Sequence, residues 1–199
     1  MGSEMCIRDS GKMSSIDLWK SIYKDRFFYQ LYFQESGKAE KELDEDIKLS
    51  LLKIYYAGSG DAPSDIFRSQ KGPNSKMLTD LPYPKSFPTW LSEADLDYYT
   101  SQFEGRGFRP SLNRYRNQER DWKDLPLLAN ARIQVPSCFI GGEKDKVLKF
   151  VPNVDLVQNM RRWMDILQIC EIIENIGHWV QQENPKKVNE LLIKFVKNL

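Results

Sequence analysis

The stretch from Ile133 to the C-terminus constrains the fold more than any other part of the sequence. Ile133–Ile140 (IQVPSCFI) is a nearly continuous apolar run closed by Gly141 and Gly142, which predicts a buried strand. Leu156, Met160, Trp163 and Leu167 recur at helical spacing and predict a helix over 154–167. Ile169–Ile173 predicts a second strand ending near Gly177. Asn184-Pro185 then opens a final helix, with Val188, Leu191, Leu192, Phe195 and Val196 as its core stripe. Strand, helix, strand, helix in this order predicts parallel strands joined by helical crossovers and covered on both faces.

The sequence before Ile133 has a different rhythm. Residues 1–14 (MGSEMCIRDSGKMS) are polar and unpatterned and read as a disordered or non-native leader. Asp17–Phe33 is dense in aromatics, which predicts a core-packing helix followed by an irregular turn. Over 37–56, Leu43, Ile47, Leu51, Ile54 and Tyr55 fall on one stripe and predict a single helix. Residues 58–88 are rich in Gly, Pro, Ser and Asp and predict a long irregular connection. Ser92 with Asp95 is an N-cap signal for a helix running to Gly105, and another helix is predicted over 112–122. The organisation expected is therefore a leader (1–14), a helical region without strands (15–128), and an α/β segment (129–199).

Open parallel sheets collect functional groups at the carboxyl ends of their strands. Here the first strand runs into Gly141-Gly142-Glu143-Lys144-Asp145 and the second into Asn175-Ile176-Gly177-His178-Trp179. Either residue alone is ordinary: an Asp in a glycine-rich loop is usually a turn residue, and a His beside Trp is usually a packed, hydrogen-bonded one. An acid past one strand and a His past the next, in that order, matches the acid-then-histidine order of α/β-hydrolase triads. In such pairs the carboxylate sets the tautomer and orientation of an imidazole that serves as general base.

Composition narrows the alternatives. One His and no clustered ligands exclude a multi-histidine metal centre. A net charge of +1 gives no electrostatic reason to expect nucleic acid or an anionic membrane. No apolar stretch is long enough to span a bilayer. Cys6, Cys138 and Cys170 are odd in number and widely spaced, and they read as reduced thiols in a cytoplasmic setting.

Four segments carry a more specific likeness. FFYQLYFQ (27–34), GFRPSLNRYRN (107–117), FIGGEKD (139–145) and GHWVQQENPKKVNELL (177–192) together resemble the soluble epoxide hydrolases, in the family's order, from about residue 20 to the C-terminus. The resemblance implies an α/β fold: a helical cap followed by the C-terminal strands and helices of an α/β-hydrolase parallel sheet, incomplete because the upstream strands are absent. It implies that Tyr29 and Tyr115 donate phenol hydrogen bonds to an epoxide oxygen, and that His178, oriented by Asp145, activates the water that hydrolyses an alkyl-enzyme ester. Gln30, Val147, Leu148 and Trp179, beside the motif residues, are expected to line the pocket. The implied reactants are a small apolar epoxide and water, with no cofactor and no metal.

The family's nucleophile, an Asp near the sequence HDWG on a sharp strand-to-helix turn, has no counterpart here. Asp17 and Asp25 fall in the aromatic-rich helix and Asp44 and Asp46 in a charged one. The chain is therefore expected to be a C-terminal fragment, inactive as written and with uncovered apolar sheet surface. Two other readings remain at this point: a non-catalytic protein that binds apolar ligands, and another α/β-hydrolase such as a haloalkane dehalogenase, against which the tyrosine pair argues.

Overall fold

The computed structural model describes residues 13–64, 71–126 and 131–199, which form two compact units. One is helical, built from 13–57 and most of 63–126. The other contains the sheet, built from 131–199 together with 58–62. The segment 58–62 thus lies in the middle of the region read as helical yet packs with the sheet. The leader falls mostly outside the described residues. Ser14 does not: it is fully buried and caps α1 (Ser15–Ile22), its hydroxyl accepting from the Asp17 N–H at 3.1 Å.

In the helical unit the aromatic-dense segment forms α1 and the single turn α2 (Tyr29–Tyr32). The helix expected over 37–56 is two helices, α3 (Lys38–Leu43) and α4 (Ile47–Gly58). The break has a local chemical cause. Asp46 turns its carboxylate back to the Leu49 N–H at 2.9 Å, and Ser50 donates to the Leu43 carbonyl at 2.9 Å, so side chains replace the backbone ladder. Asp44 meanwhile accepts from the Phe108 N–H at 2.8 Å and holds the chain just before Arg109.

The Ser92–Asp95 capping box starts α5 (Glu93–Phe103) as expected, with Leu96 fully buried beneath it. The helix expected over 112–122 begins earlier and is interrupted once, at Asn117, giving α6 (Arg109–Arg116) and α7 (Gln118–Asp124). Tyr32, Phe33, Leu43, Leu51, Leu91, Leu96, Phe108 and Leu112 form the core of this unit. The described parts of the 58–88 connection contain no long helix or strand.

In the sheet unit, β1 (Ile133–Gly142) and β2 (Met164–Ile173) pair in parallel, with Phe139 opposite Cys170 and Gly142 opposite Ile173. Register slips flank Pro136, which has no N–H to give the ladder. Between the strands lie a 3₁₀ turn (Lys146–Lys149) and the short α8 (Leu156–Arg161). The helix expected over 154–167 therefore overran: β2 already begins at Met164, because the Ile133 N–H takes the Trp163 carbonyl at 2.7 Å and starts the pairing. The chain ends in α9 (Val180–Glu183) and α10 (Pro185–Lys197), the latter with Asn184 as N-cap and Pro185 at its first position.

Leu156, Met160, Met164, Ile173, Val188 and Leu191 are buried. Leu192 and Val196, expected in the core stripe of α10, are 44% and 64% exposed. Among the described residues the sheet has only two strands, too little surface to cover the whole stripe. The same shortage leaves Val135, Ile166 and Ile172 exposed on the strands themselves.

Candidate functional site

The loops that follow β1 and β2 are drawn together by backbone contact. The Glu143 N–H reaches the Ile173 carbonyl at 2.9 Å and the Lys144 N–H the Ile176 carbonyl at 2.9 Å. Gly142 and Gly177 make this approach possible. A side chain on Gly142 would collide with the Gly177 and Ile176 carbonyl oxygens, and one on Gly177 with the backbone of 58–60.

On this frame Asp145 and His178 meet. Asp145 is buried and caps the 3₁₀ turn, with Oδ1 accepting from the Val147 N–H at 2.9 Å. Its Oδ2 lies 3.0 Å from Nδ1 of His178. A carboxylate only accepts, so this contact places the imidazole proton on Nδ1 and leaves Nε2 as the basic nitrogen. The His178 backbone is fixed as well, its N–H donating to the Gly58 carbonyl at 2.8 Å. Trp179 stacks edge-on against the imidazole, ring centres 4.8 Å apart. Val147 and Leu148 lie half-buried in the turn that Asp145 caps.

The tyrosines belong to the helical unit and lie side by side. The rings of Tyr29 on α2 and Tyr115 on α6 are 5.7 Å apart and nearly perpendicular, and Phe33 packs against both. Gln30 is buried and its amide donates to the Tyr29 hydroxyl oxygen at 2.9 Å, a bond that polarises the phenol toward donating its own proton. Gln118 in turn donates to the Gln30 side-chain oxygen at 3.3 Å.

One device that the sequence did not disclose holds the tyrosines in this relation. Arg116, next to Tyr115, forks both guanidinium nitrogens onto Glu40 at 2.6 and 2.9 Å and gives its Nε to the Phe33 carbonyl at 2.8 Å. It thereby ties α6 to the chain just after α2. Arg116 holds the Glu40 carboxyl down to about 2, against some opposition from burial. Arg116→Ala should destabilise the helical unit by about 2–3 kcal/mol, since it strands a largely buried carboxylate; urea denaturation measures it. Because the folded-state value lies below the ordinary one, this pair contributes fully above about pH 4.5 and is lost as pH falls toward 2. Acid titration of stability in the Arg116→Ala chain should therefore be flatter over that window.

Cys138 and Cys170, on β1 and β2, are half-buried free thiols, and burial raises the Cys138 value; Cys6 lies outside the described residues. Among the described residues no three His, Cys, Asp or Glu side chains gather as a metal site, and no helix is long and apolar enough to cross a membrane.

No protein-family model matches the chain. Over 186 residues it is 34% identical to epoxide hydrolase A of Mycobacterium tuberculosis, taking in 91% of this chain and 55% of that protein. Over 172 residues it is 36% identical to the bifunctional epoxide hydrolase 2 of Rattus norvegicus, taking in 86% of this chain and 30% of that one. Among solved structures, an epoxide hydrolase from an endophytic Streptomyces superposes with a TM-score of 0.85 at 35% identity, covering 94% of this chain and 56% of that one. The chain spans little more than half the length of the mycobacterial relative, and less of the rat one. In sequence and in fold, the chain is a homologue of the epoxide hydrolases of the α/β-hydrolase family.

Proposed function

We propose that the chain carries the cap and the water-activating half of an epoxide hydrolase, acting on small apolar epoxides together with an Asp nucleophile that these 199 residues do not supply. Two steps are assigned. A carboxylate oxygen attacks an epoxide carbon, the ring C–O bond breaks, and the ring oxygen takes a proton from a phenol of Tyr29 or Tyr115, leaving an alkyl-enzyme ester. His178, oriented by Asp145, then takes a proton from water, whose oxygen attacks the ester carbonyl. Collapse releases the second diol oxygen, which is protonated by the imidazolium, and the acid proton of the regenerated carboxyl returns to the phenolate. Epoxide and water are consumed and a vicinal diol is formed, with no cofactor or metal. Gln30, Val147, Leu148 and Trp179 are assigned to substrate contact, and free thiols at Cys138 and Cys170 support a cytoplasmic setting.

The observation that carries the reading is the tyrosine pair, two phenols 5.7 Å apart between ring centres, on the motif positions that the resemblance marks. Two donors aimed at one oxygen stabilise the charge that develops only as the ring opens. The test joins the first part of a homologous epoxide hydrolase to this chain and measures styrene oxide hydrolysis. Tyr29→Phe and Tyr115→Phe should each lower kcat about 10²–10³-fold with little change in KM, as loss of one such donor does elsewhere. Unchanged kcat in both would refute the assigned roles.

A further inference from the structure

The loop that carries His178 is held by a carboxylate that no motif reading singled out. Glu183, at the end of α9, receives three backbone N–H groups: Gly60 at 2.8 Å and Gly177 at 3.0 Å on Oε2, and Trp179 at 3.1 Å on Oε1. The middle N–H of that tripeptide, on His178 itself, goes to the Gly58 carbonyl at 2.8 Å. Three consecutive peptide groups are therefore all directed, the outer two by Glu183 and the inner one by a segment that Glu183 also grips through Gly60. Lys144 adds a bond from its ammonium to the Gly60 carbonyl at 3.2 Å. The imidazole ring, by contrast, has one hydrogen bond among the described residues, to Asp145.

We propose that Glu183 is the positioning residue that sets the His178 ring against Asp145, by stapling 58–60 and 177–179 into one rigid backbone nest. The proposal rests on the reading of His178 as the water-activating base. The negative charge matters as much as the shape. A carboxylate offers acceptors on both edges and makes charge-assisted bonds to all three N–H groups. A glutamine of the same size must turn an NH₂ against either Trp179 or the Gly60–Gly177 pair. One side of the nest then opens, and the backbone flanking His178 is free to rotate the ring away from Asp145.

The chain has a single histidine, so its ring signals are unambiguous. In the full chain labelled with ¹⁵N-histidine, the Nδ1–H proton should be visible, slow to exchange, and lost in the control Asp145→Asn. Glu183→Gln should speed its exchange by at least about tenfold, which a nest with one side open implies, while far-ultraviolet circular dichroism stays unchanged. Glu183→Asp, which keeps the charge but is shorter, should fall between. An Nδ1–H signal unaffected by Glu183→Gln overturns the positioning role, even where that variant melts at lower temperature. If Glu183→Gln does not fold, the wild-type chain decides: exchange of the ring proton must follow that of the Gly60, Gly177 and Trp179 amides across a urea series, and independent exchange overturns the proposal. Absence of any Asp145-dependent ring proton in the wild type is a separate failure, that of the Asp145–His178 pair itself.

Discussion

Joined to the first part of a homologous epoxide hydrolase, this chain should hydrolyse styrene oxide on the order of 10⁶-fold faster than it does alone, the scale of losing a nucleophile in another triad enzyme. Among the described residues no Asp lies on a glycine-flanked strand-to-helix turn, and Asp44 and Asp46 both have other work. Asp44 accepts from the Phe108 N–H and Asp46 caps α4. Asp145 is taken by Val147 and His178. Without an ester to hydrolyse, a well-placed imidazole has nothing to act on, and an activated water attacking an epoxide directly lacks the proximity advantage of a bound nucleophile. Steady-state diol formation by the two proteins, at equal concentration, makes the comparison. Turnover by the isolated chain within about tenfold of the joined protein would show that a nucleophile lies within it after all.

In the joined protein, Asp145→Asn should cost about 10⁴ in kcat, comparable to the loss when the corresponding acid of a serine protease triad is made an amide. The reason is the tautomer. The Asn amide can present its NH₂ to Nδ1, which then accepts, and the imidazole proton moves to Nε2, where the base is needed. The buried setting of Asp145 leaves little room for water to substitute. Because the defect falls on the second step only, the first turnover should be fast and the rest slow. Rapid-quench measurement should show a burst of epoxide consumption close to one equivalent, followed by the slowed steady rate. A variant that loses the burst as well has lost alkylation, and the assignment of Asp145 to ester hydrolysis would then be wrong.

What the sequence disclosed depended on how local the causes were. The ends of β1 and β2 were legible because Gly141-Gly142 and Gly177-His178 punctuate apolar runs, and the acid and the histidine follow within a few residues. The α5 cap was legible because Ser92 and Asp95 satisfy each other's ends of the box. The hold of Asp44 on the Phe108 N–H was not, since its partner lies 64 residues away. The same holds for Glu183, whose bond to Gly60 spans 123 residues. The Arg116–Glu40 fork spans 76. Trp163 and Leu167 continued the helical stripe of Leu156 and Met160 faithfully, and only pairing with β1 takes the chain out of the helix before Met164. The helix pattern of α10 was right in period and wrong in extent of burial, because burial depends on how many strands lie beneath it.

The most direct measurement is the intact mass of the joined protein carrying His178→Gln, taken after brief exposure to styrene oxide and followed by peptide mapping. The expected result is a stable adduct of one substrate mass, esterified to a carboxylate in the part joined upstream and absent from this chain. Full diol turnover by that variant with no adduct would contradict the assignment of His178, and with it the reading of Asp145 and the loops that hold them.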